Sequence, residues 1–218
     1  MSGRRFCSAG FQPALFNDTG ESSEENIVTA LANYGWCVVP GFLPEAETAT
    51  VRSECLQAHA AGAFHAAGTG RGQAQVRSEV RGDHVLWLDD TNTGPALHEV
   101  LDRFESLRQK VNQELFLGLL DLETHFAVYP PGAGYQRHLD RFRDDDRRSL
   151  TVILYLNEPD WREEDGGQLQ FWPDPEAAPL EIQPAGGTLV TFLSDRFWHE
   201  VLPANRQRLS LTGWFRRR

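Results

Sequence analysis

Lysine is almost absent from this chain. Lys110 is the only one, so nearly all of the 21 basic residues are arginine. We read that as the mark of a GC-rich genome rather than as chemistry. Cysteine is scarce too: Cys7, Cys37 and Cys55 are three in number and lie at no close metal-ligand spacing. That excludes a disulfide framework and a zinc ribbon, and it fits a reducing cytoplasm. No long apolar run is present, which excludes a membrane-spanning helix. Arg4 and Arg5 near the start are followed by no apolar stretch, so a secretory signal is not expected. A positive balance is missing as well. The formal net charge is -10, which argues against nucleic acid as a partner, because phosphate binding needs a basic face.

What is present suffices for a core. The chain has 218 residues, 40% hydrophobic, with 13 Phe and 6 Trp. That suits one domain, expected over residues 24–218, after a polar leader at 1–23. Ser22 and Ser23 can cap a helix carrying Ile27, Leu31 and Ala32 at helical spacing. Tyr34-Gly35 should end it, and 36–39 reads as a strand. A second helix is expected over about 45–60, followed by a Gly- and Ala-rich loop over 61–75. Residues 76–87 look extended, with a break at Arg81-Gly82-Asp83. A third helix should follow Gly94-Pro95, with Leu97, Val100, Leu101, Phe104, Leu107 and Val111 on one face. From Thr124 onward the pattern turns to short strands, over 124–129, 135–140, 150–156, 168–172, 188–192, 199–202 and 209–215. Many short strands at close spacing predict a mainly β (α+β) fold of the sandwich or jelly-roll kind, braced on one sheet by the N-terminal helices.

The chemistry-bearing feature of the strand-rich half is His138-Leu139-Asp140. Alternation along a strand puts His138 and Asp140 on one side. His199, on another strand, can add a third ligand. Two histidines and one carboxylate form the facial triad of non-heme iron(II), which leaves several coordination positions open. Zinc fits the donor types too, although catalytic zinc more often keeps a single open position. Among seven histidines a His-x-Asp triplet also arises by chance, as a surface pair flanking a buried leucine. His59, His65, His84, His98 and His125 show no ligand pattern and are taken as structural or surface residues.

Arg208 follows nine residues after His199, and the residues between read as strand, turn, strand. Such a hairpin would return the guanidinium to the metal site, where it could grip a carboxylate bidentately. By itself Arg208 reads more simply as one more surface arginine in an arginine-rich chain.

Longer segments narrow the choice. They are Tyr129-Pro-Pro-Gly-Ala-Gly-Tyr135-Gln-Arg-His138-Leu-Asp140, Leu154-Tyr155-Leu156-Asn157, Asp165-Gly166-Gly167-Gln168-Leu169 and Ser194-Asp195-Arg196-Phe197-Trp198-His199-Glu200-Val201. Arg208, Thr212-Gly213-Trp214 and, upstream, Val80-Arg81-Gly82-Asp83-His84-Val85-Leu86-Trp87 complete the pattern. Together they resemble the oxygen-sensing type of prolyl hydroxylase, the EGL-nine family, and its bacterial relatives. The resemblance spans roughly residues 76–218.

The resemblance implies a double-stranded β-helix core of the jelly-roll or cupin-like kind. It implies an iron(II)- and 2-oxoglutarate-dependent dioxygenase that uses O2, with ascorbate as a helper. His138, Asp140 and His199 would bind iron. Arg208 would hold the far carboxylate of 2-oxoglutarate, helped by the Tyr155 hydroxyl, with Thr212 beside the pair and Tyr129 near the chelating end. Ile153, Leu169 and Val201 would wall that pocket. Arg81, Asp83, Trp87, Arg148 and Trp214 would shape the peptide groove, and the 61–75 loop would close over substrate. The implied substrate is a protein carrying a target proline, with elongation factor Tu the partner suggested by bacterial relatives. The 129–138 loop is one residue shorter than in animal members, and Asp144-Asp145-Asp146 replaces a neutral turn.

Two other readings compete. One is the same chemistry on a small molecule such as a free amino acid. The other is a non-catalytic binding module of the same fold, against which the intact triad and Arg208 both speak.

Overall fold

The computed structural model describes residues 24–68, 80–141 and 147–218. Three helices precede most of the strands: α1 (Glu24–Tyr34), α2 (Glu45–Ala60) and α3 (Pro95–Leu115). Gly35, at φ 82°, stops α1, and its N–H closes on the Leu31 carbonyl at 2.9 Å. The inward stripe of α1 is Ile27, Val28, Ala30 and Leu31, whereas Ala32 points to solvent. The capping serines and the 1–23 leader lie outside the described residues. On α3 the expected stripe is buried except Leu101, which is half-buried.

The strands are β1 (Trp36–Val39), β2 (His65–Ala66), β3 (His84–Trp87), β4 (Asp121–Tyr129), β5 (Tyr135–His138), β6 (Arg148–Tyr155), β7 (Leu169–Trp172), β8 (Leu180–Ile182), β9 (Leu189–Leu193), β10 (Trp198–Val201) and β11 (Arg208–Arg216). They form a seven-stranded sheet in the order β1-β9-β6-β11-β4-β3-β2 and a four-stranded sheet in the order β5-β10-β7-β8. From β4 onward the chain changes sheet at every connection except β7 to β8, which is the winding of a double-stranded β-helix. β8 was not expected from the sequence; it has only three residues and its middle one is exposed.

Period-two alternation sorts the large sheet into two faces. Phe126, Val128, Leu150, Val152, Leu154, Leu209, Leu211 and Phe215 face the helices, in one core with Phe104 and Val111. The alternate positions Ala127, Tyr129, Ile153 and Tyr155 face the small sheet, in a second core with Leu169, Phe171 and Val201. Polar residues occupy this inner face as well: His125, Thr151, Arg208 and Ser210 are all buried. Buried polar groups need partners, so the inner face is where a ligand site belongs.

Two expectations about the backbone change. Arg208 does not return beside His199 through a hairpin: β10 and β11 lie in different sheets, and β11 pairs with β4 and β6. Ala204, bridged to Gly166, carries the connection over the edge of the sandwich. The 61–75 loop contains the short β2, paired with β3; its remainder from 69 on lies outside the described residues.

The N-terminus of α3 has no side-chain cap of its own. Glu54, reaching from α2, accepts from the Ala96 N–H at 2.9 Å and the Leu97 N–H at 3.1 Å. A Cβ at Gly94 would collide with that carboxylate. Glu54→Ala should therefore cost about 1–2 kcal/mol, the usual worth of a lost helix cap. Urea denaturation of the variant against the parent measures it.

Candidate active site

His138 and His199 are direct cross-strand partners of β5 and β10. Both imidazoles and the Asp140 carboxylate can each offer one atom within a span of 4.8 Å. The Asp140 Oδ1 lies 3.5 Å from the Nε2 of His138 and 3.5 Å from that of His199. Asp140 itself falls two residues past the end of β5, so strand alternation alone does not aim it. Thr151 on β6 does: its hydroxyl donates to Asp140 Oδ2 at 2.8 Å and lies 2.9 Å from the Ser194 hydroxyl. One carboxylate oxygen is thus held by the large sheet while the other faces the two histidines.

Each ring shows its Nδ1 to a carbonyl, Gln136 O at 2.7 Å for His138 and Phe197 O at 3.1 Å for His199. A carbonyl only accepts, so Nδ1 carries the proton and Nε2 keeps its lone pair for a metal. Burial disfavours charge on Asp140, yet the facing histidines outweigh it and hold the carboxyl well below its ordinary range. Burial and the neighbouring His199 push His138 down. Burial acts on His199 likewise, but the Asp140 charge prevails and raises it.

Arg208 is 2% exposed and opens β11 on the inner face. Its Nε donates to the Gly167 carbonyl at 2.9 Å, and its guanidinium sits 5.0 Å from the ring centres of both Tyr129 and Tyr155. Gly167, at φ +73°, allows this approach, since a Cβ there would lie 3.0 Å from Arg208 Cδ. No carboxylate among the described residues forms an ion pair with Arg208. The Tyr155 hydroxyl beside it is buried without a hydrogen-bond partner, and burial pushes it up to about 12 against the pull of Arg208. A buried guanidinium with no carboxylate partner among the described residues, next to the Tyr155 hydroxyl, suits the carboxylate of a bound ligand. Two imidazole nitrogens and one carboxylate oxygen on one side suit iron(II). Both halves of an iron and 2-oxoglutarate site therefore fit the residues present.

The comparisons agree with that donor set. Residues 124–216 match the family model described as the 2OG-Fe(II) oxygenase superfamily. A prolyl-4-hydroxylase structure from Pseudomonas putida is 45% identical, with a TM-score of 0.80, over 90% of this chain and 100% of that one. The chain belongs to the 2OG-Fe(II) oxygenases, in their prolyl hydroxylase branch. A prolyl hydroxylase from Trichoplax adhaerens, solved with a hypoxia inducible factor peptide fragment, is 29% identical with a TM-score of 0.79, over 88% of each chain. Human Egl nine homolog 1 is 30% identical over 88% of this chain and 46% of its own length. The chain thus spans about half of that curated relative.

In this oxygenase the triad and Arg208 open into one cavity of about 840 Å³. Tyr129, Ile153, Leu169, Val201 and Thr212 line it, as do Arg81, Trp87, Arg148 and Trp214. Tyr155 stands behind Arg208 and does not line the cavity. Asp83 does not line it either: it is 1% exposed, and its carboxylate takes Arg81 in two bonds of 2.8 and 2.6 Å. Any role of Asp83 toward substrate therefore runs through Arg81. Trp214, 6% exposed, is covered by the Arg148 guanidinium at 3.6 Å from the ring centre, and Glu123 holds Arg148 at 2.7 Å. Asp144-Asp145-Asp146 lies outside the described residues.

The sequence reading missed three inner-face residues. Thr151 had one legible sign, a polar residue amid the apolar run of β6. Ser194 had none. His125, taken as structural or surface, is in fact buried in the cavity wall, between Trp214 at 5.3 Å and Trp87 at 4.8 Å. Burial, with Arg81 and Arg148 nearby, drives it from 6.5 down to about 3. Across that window the unfolded chain binds a proton that the folded protein refuses, so stability falls as pH falls below 6.5. His125→Phe keeps the stack and should flatten this slope; urea melts of parent and variant at pH 7 and pH 5 measure the difference.

Proposed function

We propose that this protein is an iron(II)- and 2-oxoglutarate-dependent prolyl hydroxylase acting on a protein substrate. One observation carries the reading: the His138, Asp140 and His199 triad shares a cavity with a buried Arg208 that has no counter-ion among the described residues. When bound, iron and 2-oxoglutarate supply the oxidation, in which O2 is consumed, 2-oxoglutarate yields succinate and carbon dioxide, and a substrate C–H becomes C–OH.

This chain's own residues do the rest. His138, Asp140 and His199 would hold the metal, each offering one ligand atom. Arg208, with the Tyr155 hydroxyl, takes the far carboxylate, and Thr212 lies beside them. Tyr129 packs against Arg208, while Ile153, Leu169 and Val201 wall the pocket and exclude water from it. Trp87 offers a flat, exposed surface for a peptide at the open side, with Arg81 and Arg148 as cationic groups beside it, Trp214 beneath Arg148 and Asp83 fixing Arg81. That open, aromatic-walled side is what favours a protein over a free amino acid. The implied partner, elongation factor Tu, comes from the resemblance to bacterial relatives. We place the enzyme in the cytoplasm on its few cysteines; no helix among the described residues is long and apolar enough to cross a membrane. Residues 24–218 act as one oxygenase domain in this reading.

The test adds iron(II), 2-oxoglutarate and ascorbate to the protein with lysate of its source cells. Mass spectrometry should then find one oxygen atom added to a prolyl peptide, and none with His199→Ala. Succinate formed with small amino acids, and no modified peptide, would replace this reading by the small-molecule one. Arg208→Gln should raise the 2-oxoglutarate requirement by roughly 10- to 100-fold, as expected for lost charge-assisted bonds, with metal affinity unchanged.

A further inference from the structure

The two histidines of the triad are not held alike. His199 lies on β10, which is paired on both sides, and its ring packs on Phe192 at 4.9 Å. Its side chain is 4% exposed. His138 ends β5, a four-residue strand at the border of the small sheet, and its side chain is 18% exposed. The register between β5 and β10 is irregular just past the paired histidines. The sheet alone thus gives His138 little lateral support.

Tyr135 provides it. Its ring lies flat on the His138 imidazole, with centres 3.6 Å apart and planes 17° apart. The Arg81 guanidinium sits over the same Tyr135 ring, 4.5 Å from its centre. The imidazole already fills one face, so the guanidinium takes the other. Arg81 is fixed in turn by the bidentate Asp83, whose side chain is fully buried. The main chain follows the same path. Arg81 bridges Tyr135, the Gly82 N–H donates to Gly134 O at 3.0 Å, and the Gln136 N–H donates to Val80 O at 2.9 Å. Residues 80–82 therefore close the open edge of β5.

We propose that Tyr135, clamped by Arg81 and Asp83, is a positioning residue that fixes the imidazole of metal ligand His138. The inference rests on the reading of the triad as a metal site. It gives Arg81 and Asp83 a task that exists without any peptide, in place of a purely substrate-facing one. It also makes metal affinity depend on the 80–83 segment, which lies outside the metal's own ligand set. Partners that orient a ligating histidine are worth roughly 10- to 100-fold in metal affinity.

The experiment titrates metal-free protein with Co(II) against a competing chelator, with no 2-oxoglutarate and no peptide. Tyr135→Ala should bind Co(II) 10- to 100-fold more weakly, in line with that range. Tyr135→Phe, which keeps the flat ring, should restore binding to near the parent value. Arg81→Met should fall between them. In the Co(II)-loaded parent, proton NMR should show two exchangeable, paramagnetically shifted imidazole N–H signals, and Tyr135→Ala should broaden one and spare the other. Melting of the metal-free proteins separates positioning from a general loss of fold, and Tyr135→Leu makes the same comparison if the alanine variant does not fold. Parent-like affinity in Tyr135→Ala or Tyr135→Leu would overturn the proposal, as would failure of Tyr135→Phe to restore binding. Absence of Co(II) binding by the parent would instead overturn the metal site itself, and this inference with it.

Discussion

A buried carboxylate between two imidazoles is the constraint around which this fold is arranged. Asp140 could not stay charged in an apolar sandwich alone, because burial of an unpaired carboxylate costs several kcal/mol. The hydroxyl of Thr151 donates to one of its oxygens, and the other is balanced by positive charge at the facing nitrogens of His138 and His199, from a bound metal ion or from protons in its place. Those partners come from both sheets. The small sheet brings the two histidines opposite one another, and the large sheet brings Thr151 and, through it, Ser194. Closing the sandwich is thus the same event as assembling the triad.

Arg208 repeats the logic in the same cavity with the opposite charge. It is buried, held by one backbone carbonyl and flanked by two tyrosine rings, yet no acid among the described residues balances it. Among the described residues, three of the four buried side-chain polar atoms without partners gather near the same space, His125 Nδ1, Tyr155 Oη and Trp214 Nε1, with Thr191 Oγ1 the fourth. A core that leaves such atoms unpaired is less stable than it could be. That loss concentrates where a ligand with complementary groups would bind, as functional sites commonly show.

Much of the site was legible because its residues sit inside regular strands. The resemblance points to Ile153, Tyr155, Thr212 and Trp214, and alternation along β6 and β11 is consistent with their shared inner face; α1 and α3 follow from their apolar spacing. What was not legible depends on contact across sheets. The Arg208 return was misjudged because a nine-residue connection can form a hairpin or cross a sandwich edge, and local pattern does not separate the two. Asp83 was placed in the groove, yet its carboxylate is consumed by Arg81. His125 looked unremarkable because nothing local to Thr124-His125-Phe126 announces that two tryptophans from β3 and β11 enclose it.

The sequence by itself determined the alternation of the strands, the helical stripes, the donor types at His138, Asp140 and His199, and the family pattern that orders them. These are local properties, fixed by side-chain chemistry and by periods of two and 3.6 residues. Only the tertiary structure decided which partner each group meets: Thr151 on Asp140, Gly167 on Arg208, Tyr135 on His138, Glu54 on the start of α3. Such pairings span sheets and distant segments, and their energies depend on distances that arise only when the chain has closed on itself.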